Sequence, residues 1–164
     1  MPNDVLTEVG SPITFQDSGG TVAITLQNLG FGSGWVSAAY DKGVGSKADW
    51  AHVHAVIQFE TTAIAGEIVE VYVFSHDGTN VPAALGVANA AVTVANKRFN
   101  LPGPCVAIYA EAVTADLNYE KQGFAYVPMR YISVMVWNGS AGDNLQNTAN
   151  INKVILTLLN PEIQ

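Results

Sequence analysis

Charge is what this chain has least of. Asp, Glu, Lys and Arg supply 13% of its 164 residues and apolar residues 49%, where an ordinary soluble domain is about 25% charged. That shortfall predicts that part of the exterior is covered by other subunits. The basic residues are few and scattered (Lys42, Lys47, Lys97, Arg98, Lys121, Arg130, Lys153), and the formal net charge is −7. Both facts argue against nucleic-acid binding, which relies on clustered Lys and Arg to neutralise phosphates. Cys105 is the single cysteine, so no internal disulfide can form. It reads as a buried reduced thiol, because no local basic or His partner is placed to activate it. No run approaches the ~18 apolar residues of a helical membrane span. The start, MPNDVLTEVG, has acids where a secretory signal needs a basic region and an apolar core, so a soluble chain not exported by that route is expected.

Amphipathic helices are missing too, and strand patterns fill their place. In AHVHAVIQFE, Val53, Ala55, Ile57 and Phe59 point one way and His52, His54, Gln58 and Glu60 the other. After Ala65-Gly66, the run Glu67 to Ser75 is rich in β-branched and aromatic residues. The short Gly-containing link predicts that the two pair as one long hairpin. Further strands are read at Val22–Leu26, Trp35–Asp41, Cys105–Val113, Tyr119–Tyr126, Met129–Asn138 and Ile151–Leu159, with turns such as Asp77-Gly78-Thr79-Asn80 between them. Val81 to Pro104 reads as a long connection holding one short strand. A domain near ~150 residues buries about 70% of its unfolded surface and needs no staple. The expected fold is therefore all-β: a two-sheet antiparallel β-sandwich of about eight strands, the jelly-roll count. Residues 1–20, with Pro2, Gly10, Pro12 and Gly19-Gly20, read as an extended N-terminal arm, and 21–164 as a single sandwich domain.

Several strands are apolar on both faces. Ile132, Val134 and Val136 oppose Tyr131, Met135 and Trp137, and Val69, Val71 and Val73 oppose Ile68, Tyr72 and Phe74. A solvated sheet face should be polar, so something is expected to cover it. The long connection, the arm and another subunit are all open as covers. The intersubunit reading assigns Val5, Ile13 and Phe15 of the arm, with Tyr72, Phe74, Tyr131, Met135 and Trp137, to contact surface.

Signals for chemistry are thin. His52 and His54 share a strand face, half of a metal site at most, since tetrahedral zinc needs four ligands and His76 is the only other histidine. Polar-face histidines are the plainer reading, and no metal or other cofactor is expected. Glu60, Glu67, Glu70 and Glu111 form no acid pair, and neither a G-x-S-x-G elbow nor a phosphate-binding loop is present. The GFGSG stretch lacks the following helix and lysine. DNLQNTAN at 143–150 lacks calcium-loop spacing, and the Asn138-Gly139-Ser140 sequon marks a turn. Trp35, Trp50 and Trp137 form a sugar-stacking platform only if they share a surface; core or interface aromatics are the plainer reading.

In order along the chain, SPITFQDSGGTVAITLQNLGFGSG, TTAIAGEIVEVYVFSHDGT and VPMRYISVMVWNGSAGDNLQ resemble a group of tailed-bacteriophage virion proteins, small β-sandwiches of the head decoration or cement type. The marks are Thr62 to Tyr72 and Pro128 to Gly142, and the likeness spans most of residues 11 to 159. The resemblance implies a jelly-roll that trimerises on the outer capsid and clamps neighbouring major capsid subunits, with no catalytic residues. A tail or head–tail connector component and a carbohydrate-binding sandwich remain as alternatives.

Overall fold

Ala51, Val53, Ala55 and Ile57 are fully buried, while His52 and His54 between them are only half-buried. This is the period-two signature of a strand with one face on a core. The computed structural model describes residues 5–61, 65–81, 88–93, 103–110 and 117–163, with the backbone alone at 5–8 and 161–163. These residues form twelve strands and no helix. They are β1 (Val5–Val9), β2 (Ile13–Gln16), β3 (Val22–Ala23), β4 (Ser33–Val36), β5 (Tyr40–Asp41), β6 (Trp50–Ile57), β7 (Ile68–His76), β8 (Ala90–Val92), β9 (Val106–Tyr109), β10 (Tyr119–Tyr126), β11 (Tyr131–Asn138) and β12 (Lys153–Ile163).

Two six-stranded sheets face each other. The first runs β10-β6-β12-β2-β3, with β1 also on β12; the second runs β8-β4-β11-β7-β9, with β5 on β11. All pairings are antiparallel except β2 with β3. Setting aside β1, β3, β5 and β8, the remaining eight strands pair first with last (β2·β12), second with seventh (β4·β11), third with sixth (β6·β10) and fourth with fifth (β7·β9). The main core lies between the sheets, where Val53, Ala55, Val154 and Leu156 of the first meet Val69, Val71, Ile132, Val134 and Val136 of the second. Burying one such side chain stabilises the fold by about 1.5–3 kcal/mol before ordering costs.

The expected hairpin between β6 and β7 does not form: the two strands lie in opposite sheets. The link between them crosses the sandwich, and Phe59 on it bridges to Leu145. The N-terminal arm is also corrected. β1 pairs with β12 from Val5↔Ile163 to Val9↔Leu159, and β2 pairs with the same strand through Phe15↔Val154. Ile13 is 2% and Phe15 0% exposed, so this segment docks on its own domain. Alternating apolar residues here find a strand edge to complete, which pays back the ordering of a Gly- and Pro-punctuated chain.

The outer face of the second sheet carries its own apolar cluster, made of Val36, Tyr72, Phe74, Val92, Met135 and Trp137. Val81 and Ala90 of the long connection pack on it. Gly34 lets the Trp137 ring lie flat on β4, since a Cβ there would sit 2.6 Å from the ring. β8 is the short strand expected within the connection; residues 82–87 and 94–102 of that connection lie outside the described ones.

Candidate interaction surface

The register of the first sheet places side chains of one parity on its outer face in cross-strand rows. One row reads Tyr126, Trp50, Leu159, Val9; the next Phe124, His52, Thr157; the next Gln122, His54, Ile155, Thr14. With strands ~4.8 Å apart, a four-strand row spans about 15 Å. The first row is apolar and open: Trp50 is 51%, Tyr126 58% and Val9 66% exposed, and Phe124 beside it 61%. Four large apolar side chains gathered on one face make a patch, where apolar residues exposed singly would need no explanation.

The rings hold one another in place. Trp50 and Tyr126 lie 5.2 Å apart between centroids at 51°, and His52 and Phe124 lie 5.5 Å apart edge to face. Polar pairs border them. His52 Nε2 is 3.1 Å from Gln122 Oε1, and His54 Nε2 is 3.1 Å from Glu120 Oε2. The surface is thus an apolar strip with a hydrogen-bonding margin, on strands locked into a sheet.

The residues assigned to contact from sequence lie elsewhere. Ile13 and Phe15 are in the main core, and Tyr72, Phe74, Met135 and Trp137 are in the second cluster, closed over by the chain itself. They are not available to a partner in this conformation. Tyr131 is half-buried, stacked on His76, and the side chain of Val5 lies outside the described residues. Sequence reasoning missed Val9, Phe124 and Tyr126. The signal was present: Trp50 shares parity with His52 and His54, and Phe124 and Tyr126 share a parity on the strand beside them.

The three tryptophans form no common platform. Trp35 is half-buried and donates its indole N–H to Asn89 Oδ1 at 2.5 Å, Trp137 is buried, and Trp50 alone is open. The polar loops are occupied by structure. Asn138 donates to Leu29 O at 3.0 Å and Asp143 O at 2.8 Å, and Asp143 accepts from Thr61 Oγ1. Asn144 donates to Asn28 Oδ1 and Asn150 accepts from the Ser18 N–H. Lys42 donates to the carbonyls of Ala48 and Val127, and Arg130 makes a two-pronged pair with Asp41. Burial pushes the Cys105 thiol up to about 11, far from a reactive thiolate. Among the described residues no three His, Cys, Asp or Glu side chains gather as a metal site requires; Glu111 lies outside them. Compared with family models and with curated protein sequences, the chain matches none.

Proposed function

We propose that the chain is a non-enzymatic structural protein of a tailed-phage virion, of the capsid decoration or cement type. In this reading it assembles as a homotrimer on the outer capsid surface and binds the major capsid protein. The observation that carries the reading is the exposed strip of Val9, Trp50, Phe124 and Tyr126 on a chain with only 13% charged residues, the pairing of features expected of a permanently assembled subunit. The pairing of first strand with last, second with seventh, third with sixth and fourth with fifth supports a jelly-roll, the fold the resemblance implies. Each copy buried across a capsomer boundary adds contacts that must break when the shell opens.

Sedimentation at micromolar concentration and cryo-electron microscopy of the particle test this reading. A trimer with the first sheet's outer face against a neighbouring chain on the shell is the expected result. A 17.3 kDa monomer with no particle density would overturn it, and density in a ring at the tail would move it to the connector reading. The Trp50–Tyr126 pair beside His52 and Gln122 also favours a second reading, stacking on a glycan, which predicts saccharide affinity lost in Trp50→Ala.

A further inference from the structure

His76, the last residue of β7, is completely buried on the outer side of the second sheet. Its ring stacks on Tyr131 with centroids 5.6 Å apart and planes 14° apart. Nδ1 is 3.1 Å from the Gly78 backbone N–H, which it accepts. The ring's one proton therefore sits on Nε2, 3.3 Å from Ser133 Oγ. Gly78 has φ +96° and lies flush on the Tyr131 ring, where a Cβ would come within 2.7 Å. The turn continues with Asp77 accepting from the N–H groups of Thr79 and Asn80. It delivers Val81 onto the cluster of Tyr72, Phe74, Met135 and Trp137.

We propose that His76 is an acid-sensitive latch on this cover. While its ring is neutral it pins the turn at 77–80, and Val81 stays over the second apolar cluster; when the ring takes a second proton, the turn and Val81 are released and the cluster opens. An imidazolium carries hydrogens on both nitrogens, so Nδ1 can no longer accept from Gly78 and two N–H groups face each other. The charge would also be buried, which is costly unless a partner compensates it.

Among the described residues, the groups around the ring do not supply one. Asp77 is the adjoining acid, and its carboxylate is held by Thr79 and Asn80. From β11 the ring meets the Tyr131 phenol and the Ser133 hydroxyl, and the Arg130 guanidinium lies 5.0 Å from the Tyr131 ring, paired to Asp41. From its own strand it meets Phe74. Burial accordingly holds the imidazole below its ordinary 6.5, with Asp77 opposing in part. His52 and His54, on the other sheet, are only half-buried and face the side-chain oxygens of Gln122 and Glu120.

Hydrogen exchange on the full chain tests this, measured between about pH 7.5 and pH 5 and corrected for intrinsic exchange. Backbone protection at 77–81 is expected to fall by up to about tenfold per pH unit of latch titration, the limit for one proton, while protection across β6 persists. His76→Asn, whose amide oxygen can still accept from Gly78 but does not titrate, should show no such fall. The proposal is overturned if 77–81 keeps its protection, if β6 loses protection in parallel, or if His76→Asn keeps the acid response. An NMR titration of the ring in the unsubstituted protein decides the matter independently of how the variant folds. A midpoint below the ordinary imidazole value supports the latch, and one at or above it overturns the latch.

Discussion

Trp50 and Tyr126 meet across the β6–β10 ladder with ring centroids 5.2 Å apart, and both remain more than half exposed. Their mutual contact recovers only part of the apolar area that two large rings offer. If a partner completes that burial, Trp50→Ala should cost 2 kcal/mol or more of assembly energy, the order of an interface hot spot. The melting temperature of the isolated subunit should change little. Paired melting and particle-binding measurements check this; equal loss in both would place the role of Trp50 within the fold.

Trp137 and Val134 stand on opposite faces of β11, yet both are closed over by the chain itself. Val134→Ala should destabilise the isolated subunit by about 1–3 kcal/mol and Trp137→Ala by about 3–5 kcal/mol. Denaturant unfolding of the two variants measures this. A Trp137→Ala subunit as stable as wild type would reopen the outer face of the second sheet as a partner surface.

Removing residues 1–16 takes away Ile13 and Phe15 together with the β2 edge that completes β12. That truncation should unfold or severely weaken the domain. Removing residues 1–8 spares β2 and most of the core and should lower the melting temperature by only a few degrees. Circular dichroism melts of both truncations separate the outcomes.

The two-pronged hydrogen bonds from Arg130, helped by the Gly43 N–H, hold the Asp41 carboxyl at about 2, below its ordinary 3.8. A carboxyl depressed on folding contributes stability that is present above the unfolded value and is lost as pH falls through the folded one. Asp41 therefore adds to acid unfolding between about pH 4 and pH 2, and not near neutrality. Asp41→Asn should flatten that part of the stability–pH curve; the pair lies at the surface, with both side chains about two-fifths exposed, and solvent screening keeps the effect small.

How much of this was legible in the residues depended on what period two can encode. It separated Val53 from His52 and Val134 from Met135 correctly, because a strand has only two faces. It could not say which sheet a strand joins. Ala65-Gly66 serves a return within one sheet or a crossing to the other, and here the chain crosses. The same blindness applied to Tyr72, Phe74, Met135 and Trp137. An apolar second face requires a cover but does not name it, and Val81 and Ala90 come from a connection with no strong pattern. The arm was misread because Gly10, Pro12 and Gly19-Gly20 dominate its composition. Ile13 and Phe15, two residues apart, were the stronger physical signal. The exposed strip was the hardest to see, since Trp50, Tyr126, Leu159 and Val9 come from four strands and meet only through register.

The place of β12 constrains how the protein is made. It lies between β6 and β2 in the middle of the first sheet, and it also carries β1. A ribosome adding about 5–20 residues per second exposes β6 and β2 many seconds before their shared neighbour exists. During that interval both strands present unpaired backbone edges toward the gap β12 will fill, and edges of that kind recruit other chains. Sheet closure must therefore wait for β12, and yield should depend on how crowded nascent copies are, so that slower initiation or lower temperature raises the soluble fraction without altering any native contact.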